Sequence, residues 1–245
     1  MKYFKEPAQR IGWLFVLATV AGVLSVVVMS STPGDEDLLS AVRANQGTLI
    51  FGNLLIFVML TAMVGTAVLL SPILKEHSET LALSYVLART LEVTMISIGV
   101  VAGLLLLPLS WHLTPTGGGD TASAQVLAAS LKTAGDWTGY LGAQMIFSVS
   151  ALILNWAFYR NGLIPRWLSL WGLIGVPLMF ASGLLVMFES LNSNASTLNL
   201  LVVPLALQEM AMAIWLIVKG FSDVSEHDPA LEAPGQPVAS VLLDP

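Results

Sequence analysis

The chain has 245 residues, 56% hydrophobic and 11% charged, with a mean hydropathy of +0.79 and a formal net charge of −6. Soluble domains carry roughly 25% charged residues, so there is too little charge here to cover a water-facing surface, and lipid is the expected solvent. The absence of a Lys/Arg run removes support for nucleic-acid binding, and the absence of cysteine excludes disulfides, thiolate chemistry and cysteine-ligated metal.

A spanning helix needs ~20 mostly apolar residues. The first such run is 11–29, preceded by Lys2, Lys5 and Arg10. It exceeds the ~7–15 residues of a secretion-signal core and lacks an Ala-x-Ala site, so it reads as a retained span. The acidic Asp35-Glu36-Asp37 follows, then a second span at 48–70. The third, 81–109, is too long to stand upright and must start outside the bilayer or tilt.

An excursion over 110–138 comes next, with helix breakers at Thr114-Pro115-Thr116 and Gly117-Gly118-Gly119. Within it, 122–134 reads as a short helix that lies on the membrane or caps the bundle. The fourth span is 139–159. Asn161-Gly162 then makes a turn, and Pro165 suits the first turn of the fifth span, 167–188. The sixth is 198–218, and from 222 onward an acidic, Pro-rich tail is expected to be disordered. The apolar residues show no strand-like alternation, so helices are favoured over a barrel. The expected fold is all-α: a polytopic transmembrane helical bundle of six spans over residues 1–221, with both termini on one side.

Basic residues orient such a bundle. Lys2, Lys5, Arg10, Lys75, Arg89, Arg160, Arg166 and Lys219 fall on one side, against Arg43 and Lys132 on the other. The rich side is expected to be the cytoplasm, which places both termini inside. Trp111, Trp137 and Tyr140 fall at the outer interface, and Tyr159, Trp167 and Trp215 near the inner one, where such rings anchor at headgroup level. Gly99-x-x-x-Gly103 and Ala18-x-x-x-Gly22 permit close helix contacts, most simply within the bundle.

Charges within a bilayer are costly and often mark function. Arg89, Glu92 and Glu209 are the three such residues, with Asn53, Gln144, Asn155 and Gln208 as uncharged companions. Arg89 and Glu92 share a helix face and can neutralise each other. Glu209 lies about 15 Å from the end of its span and has no basic residue one turn away. It must be protonated or meet a partner from another helix, Arg89 or Asn155, although Arg89 is expected ~10 Å nearer the cytoplasm. Three roles stay open for Glu209: a structural hydrogen-bond donor, a ligand or proton site, and a partner of Arg89. Arg160 and Arg166 fit topology and lipid phosphate, with an anionic-ligand site as the sharper alternative.

No metalloprotease, nucleophile-elbow or phosphate-loop motif is present. His77, His112 and His227 fall in loops or the tail, so no metal and no cofactor is expected. The charged stretches resemble the bacterial multi-pass family known as domain of unknown function 4386. The likeness rests on Arg10-Ile11-Gly12, Leu81-Ala82-Leu83 through Arg89-Thr90-Leu91-Glu92, the loop from Tyr159 to Leu168, and Glu209-Met210-Ala211 through Gly220. Asn161 stands where that family often has Ser. The resemblance implies the same six-span architecture over roughly residues 8–221 and no known activity.

Binding or transport of a small molecule or lipid, with or without proton coupling, is therefore expected inside the bundle of a bacterial inner-membrane protein. Arg89, Glu92, Asn155, Glu209 and Arg166 are the candidate residues. The rival expectations are a non-transporting scaffold, sensor or immunity-type module, and a lipid-modifying enzyme. Membrane lipids are the expected surroundings, and a small molecule or lipid the expected ligand.

Overall fold

The computed structural model describes residues 5–30, 38–112, 121–188 and 195–222. Among these, every regular element is helical. They are α1 (Lys5–Ser30), α2 (Leu38–Ala44), α3 (Gln46–Lys75), α4 (Glu79–His112), α5 (Thr121–Tyr140), a π-helical turn (Leu141–Ile146), α6 (Phe147–Asn161), α7 (Arg166–Met187) and α8 (Ala195–Val218). In hydrocarbon no water is available to bond an open backbone, so a chain this apolar closes its N–H and C=O groups within helices. Six helical rods are long and apolar enough to cross a membrane: α1, α3, α4, the continuous rod from α5 to α6, α7 and α8.

Rods adjacent in sequence are adjacent in space. α1 packs on α3, α3 on α4, α4 on α6, α6 on α7, α7 on α8, and α8 returns to α1. Helices pack about 8–10 Å apart, so a closed ring of six encloses a core about one helix wide. Such a core must be filled by large side chains or stay hollow. At the end where Lys5 and Ser222 lie it is filled by Ile11, Phe15, Leu74, Tyr85, Phe158 and Leu216, among others. The same end is laced together by hydrogen bonds. Gln9 Nε2 donates to the Ile217 carbonyl at 3.0 Å, and the Ser222 N–H to the Leu163 carbonyl at 2.9 Å. Phe158 meets Phe221 edge-on, with ring centroids 5.9 Å apart. Gly162, at φ 63°, supplies the left-handed residue that ends α6 and starts this loop. Pro165 sits just before α7 rather than in its first turn.

The fourth span departs from expectation. Its helix begins at Thr121, not at 139, and runs unbroken through the π turn to Asn161. The 40 residues from Ala122 to Asn161 are about 60 Å of helix, twice a ~30 Å hydrocarbon core. The expected short surface helix is thus the first half of a rod packed along α4. Small residues permit that packing: a Cβ on Gly99 would lie 2.9 Å from Thr138 Oγ1 and 3.2 Å from the Gly135 carbonyl. α2, not foreseen, closes the far end of the bundle by setting Leu39 and Val42 against Leu106 and Ala128. Gly22 faces Met59 of α3, so this glycine, like Gly99, serves a contact within the chain. The expected glycine break at 117–119, the acidic 35–37 and the tail from 223 lie outside the described residues.

Candidate functional site

Ser78 caps α4 by accepting the Leu81 N–H at 3.3 Å, and three turns later the helix carries its charged pair. Arg89 Nη1 lies 2.9 Å from both Glu92 carboxylate oxygens. Arg89 is 5% exposed and Glu92 1%. The guanidinium is held between two rings, 5.9 Å from the centre of Tyr85 and 5.6 Å from that of Phe147, within cation–π range. A second helix completes the carboxylate's coordination: Ser150 of α6 lies 2.8 Å from Glu92 Oε2 and 2.9 Å from the Phe147 carbonyl. Its single proton serves one acceptor at a time. Arg89 Nε and the Tyr85 hydroxyl, which faces Arg89 and Thr66, are buried without a hydrogen bond.

Glu209 of α8 belongs to the same layer. It lines one chamber with Arg89 and Glu92 and feels the field of both. Arg89 is therefore not ~10 Å nearer the chain ends, as the span boundaries implied. α4 starts at Glu79 and α8 ends at Val218, which puts both residues about 15 Å from those helix ends. Arg89 is nevertheless committed to Glu92. Among the described residues Glu209 has no hydrogen bond and no ion pair, and it is half-buried because it opens onto the chamber.

The chamber is about 240 Å³ and sits in the middle of the ring, on the far side of the apolar plug. Apart from the three charged residues its walls are mainly apolar, with Phe15 of α1, Met59 and Met63 of α3, Phe147 of α6 and Met179 of α7. Along α1 it runs from Phe15 to Val23, about 12 Å of helix. It reaches the outer surface between α1 and α8, where Val23 and Ala206 both line it and are exposed. The π turn adjoins it: Ala143 lines the wall, and Gly142 lets α4 come so close that a Cβ would meet Ile96 Cγ1 at 2.7 Å. Such turns shift helix register and recur at functional sites.

Two expected site residues are elsewhere. Asn155 does not line the chamber; its Nδ2 donates to the Ala151 carbonyl at 2.9 Å and its Oδ1 accepts from Gln208 Nε2 at 3.0 Å. Gln208 also donates to the Leu168 carbonyl at 3.2 Å, so the amides brace α6, α7 and α8 together. Arg166 is exposed at the first position of α7, about 20 Å of helix from the chamber residue Met179. Trp215 differs from a headgroup anchor in burying its indole N–H among packed side chains. Ser150, Tyr85 and the π turn were not found from sequence. A lone Ser or Tyr in an apolar run carries no spacing signal. The described residues hold no cluster of metal ligands.

A ring of six long apolar helices around a buried charged layer defines a multi-pass integral membrane protein. The chain belongs to the family described as domain of unknown function (DUF4386), which it matches over residues 11–220. That match takes in the helices lining the chamber. No curated protein and no solved structure matches the chain.

Proposed function

We propose that the protein takes a small molecule or a lipid into the chamber, as the binding step of transport across the membrane. One observation carries this: a carboxyl without a partner among the described residues, Glu209, opens onto a hollow that reaches the lipid-facing surface. Charged side chains inside a bilayer cost about 2.5–3.5 kcal/mol on insertion scales, and a structural carboxyl offsets that cost by pairing, as Glu92 does. A carboxyl aimed at a space instead is placed for a ligand or a proton. The setting of this proposal is a bacterial inner membrane with both termini in the cytoplasm, which the Lys and Arg distribution supports.

Native mass spectrometry of the purified protein tests it. The wild type is expected to retain a small molecule or lipid that the folded Glu209→Gln variant releases. Identical bound species in both, at equal stability, would remove Glu209 from any ligand site. Proteoliposome uptake of the species so identified then separates carriage across the membrane from mere retention.

A further inference from the structure

Resting on that reading, we infer that the occupant of the chamber is a lipophilic monocation, a protonated amine or quaternary ammonium with an apolar body, which enters from the lipid between α1 and α8. Charge balance leads there. Arg89 and Glu92 cancel each other at 2.9 Å, and the Arg89 side chain is held between two rings. What remains to face a ligand is the single carboxyl of Glu209. As a carboxylate in an apolar wall it requires one positive charge, from a proton or from the ligand, so the two compete for the same site. An anion would meet two carboxylates and an arginine already engaged. A neutral apolar molecule would leave Glu209 with neither partner nor role.

The walls fit the same class. Met59, Met63 and Met179 offer soft, adaptable thioethers, and Phe15 adds to the wall an aromatic ring, the kind of group that attracts a cation. The volume, about 240 Å³, lies below the ~300–1,000 Å³ of pockets that take drug-sized ligands, which limits the occupant to a compact molecule. The exposed Val23 and Ala206 at the mouth are apolar, so the route leads from hydrocarbon rather than from water. The titratable and charged groups facing Glu209 are Arg89 and Glu92, with Tyr85 behind them, all on α4. α1, α3, α6, α7 and the π turn present no titratable side chain to the chamber.

The test is calorimetric titration of the full chain in zwitterionic nanodiscs, with empty nanodiscs subtracted. Benzyltrimethylammonium is the probe, neopentylbenzene its neutral isostere and benzoate the anion. The wild type is expected to bind the cation at least tenfold more tightly than the isostere, and benzoate not at all. The cation's affinity is expected to fall as pH is lowered, by at most about tenfold per unit, because a proton displaces a probe whose own charge is fixed. In Glu209→Gln the preference for the cation disappears while the neutral isostere still binds. Should that variant fail to fold, the wild-type comparison and its pH dependence decide alone. Equal binding of cation and isostere by the wild type overturns the cation assignment and leaves the chamber reading standing. Binding of neither, with no species retained in native mass spectra, overturns both.

Discussion

Glu92 and Glu209 are both carboxylates in an apolar bundle, and their surroundings give them opposite roles. Glu92 receives Arg89 and Ser150 and is 1% exposed, whereas Glu209 receives no hydrogen bond from the described residues and faces a space. Glu92→Gln strands a buried guanidinium and is expected to lose about 3–5 kcal/mol of stability, read by thermal unfolding in detergent. Ser150→Ala removes one hydrogen bond to a charge, an expected loss of about 1.5–3 kcal/mol. Exchanging both partners, Arg89→Met with Glu92→Leu, is expected to recover most of the loss, since apolar groups of similar volume commonly replace a buried ion pair. Glu209→Gln is expected to change stability by no more than about 0.5 kcal/mol. A loss as large as that of Glu92→Gln would make Glu209 structural and count against the ligand reading. The charges were legible in the sequence because an ionisable group in an apolar run is conspicuous. Their partners were not. At about 100° per residue, Asn155 is turned about 80° around α6 from Phe147, which takes it from the chamber to the α7–α8 side. Gln208 and Glu209, one residue apart, likewise point to different neighbours. Which face meets which helix is a property of the ring, and one sequence without the packing does not contain it.

At the scale of elements, glycines divide by whether a neighbouring helix needs their missing side chain. A Cβ on Gly12 would meet the Ala213 carbonyl and Ile217 Cγ1, both at 2.7 Å. Gly12→Ala is therefore expected to push α1 from α8 and cost about 1–3 kcal/mol. Gly139, inside α5, has nothing within 4 Å, so Gly139→Ala is expected to add about 0.5–1 kcal/mol through helix propensity alone. Opposite shifts in melting temperature for the two variants check this; a loss at Gly139 would mean that an unseen partner covers α5. The spans were legible because hydropathy reports solvent, and five of the six lie where long apolar runs stand. The rod from α5 to α6 was cut short because Lys132, Thr133 and Asp136 lower its hydropathy. Lys132 and Asp136 pair at 3.3 Å along one exposed side of a continuous helix, so polarity there marks a helix leaving the lipid rather than a loop. α2 has seven residues, too few for any period to declare itself.

For the molecule as a whole, the ring makes a topological statement that labelling can examine. Six spans return the chain to its starting side, and Gly220 lies against Lys5, with a Cβ there 3.5 Å from Lys5 Cα. The α3–α4 and α6–α7 connections must share that side, and the Lys132 region must be opposite. Arg89 no longer counts toward orientation, because it is spent on Glu92 within the bundle. Lys5, Arg10, Lys75, Arg160, Arg166 and Lys219 still outnumber Arg43 and Lys132, so the proposal that the termini are cytoplasmic does not depend on it. The chain has no cysteine, which makes single replacements clean reporters. In intact cells a membrane-impermeant maleimide is expected to label Lys132→Cys and to spare Glu76→Cys, whose native residue is exposed beside the end of α3, until the membrane is opened. The reverse pattern would invert the protein, turning the plugged end of the ring outward and the chamber side toward the cytoplasm. Labelling of both in intact cells would break the ring of six, because in that ring the single crossing of α4 separates the two sites.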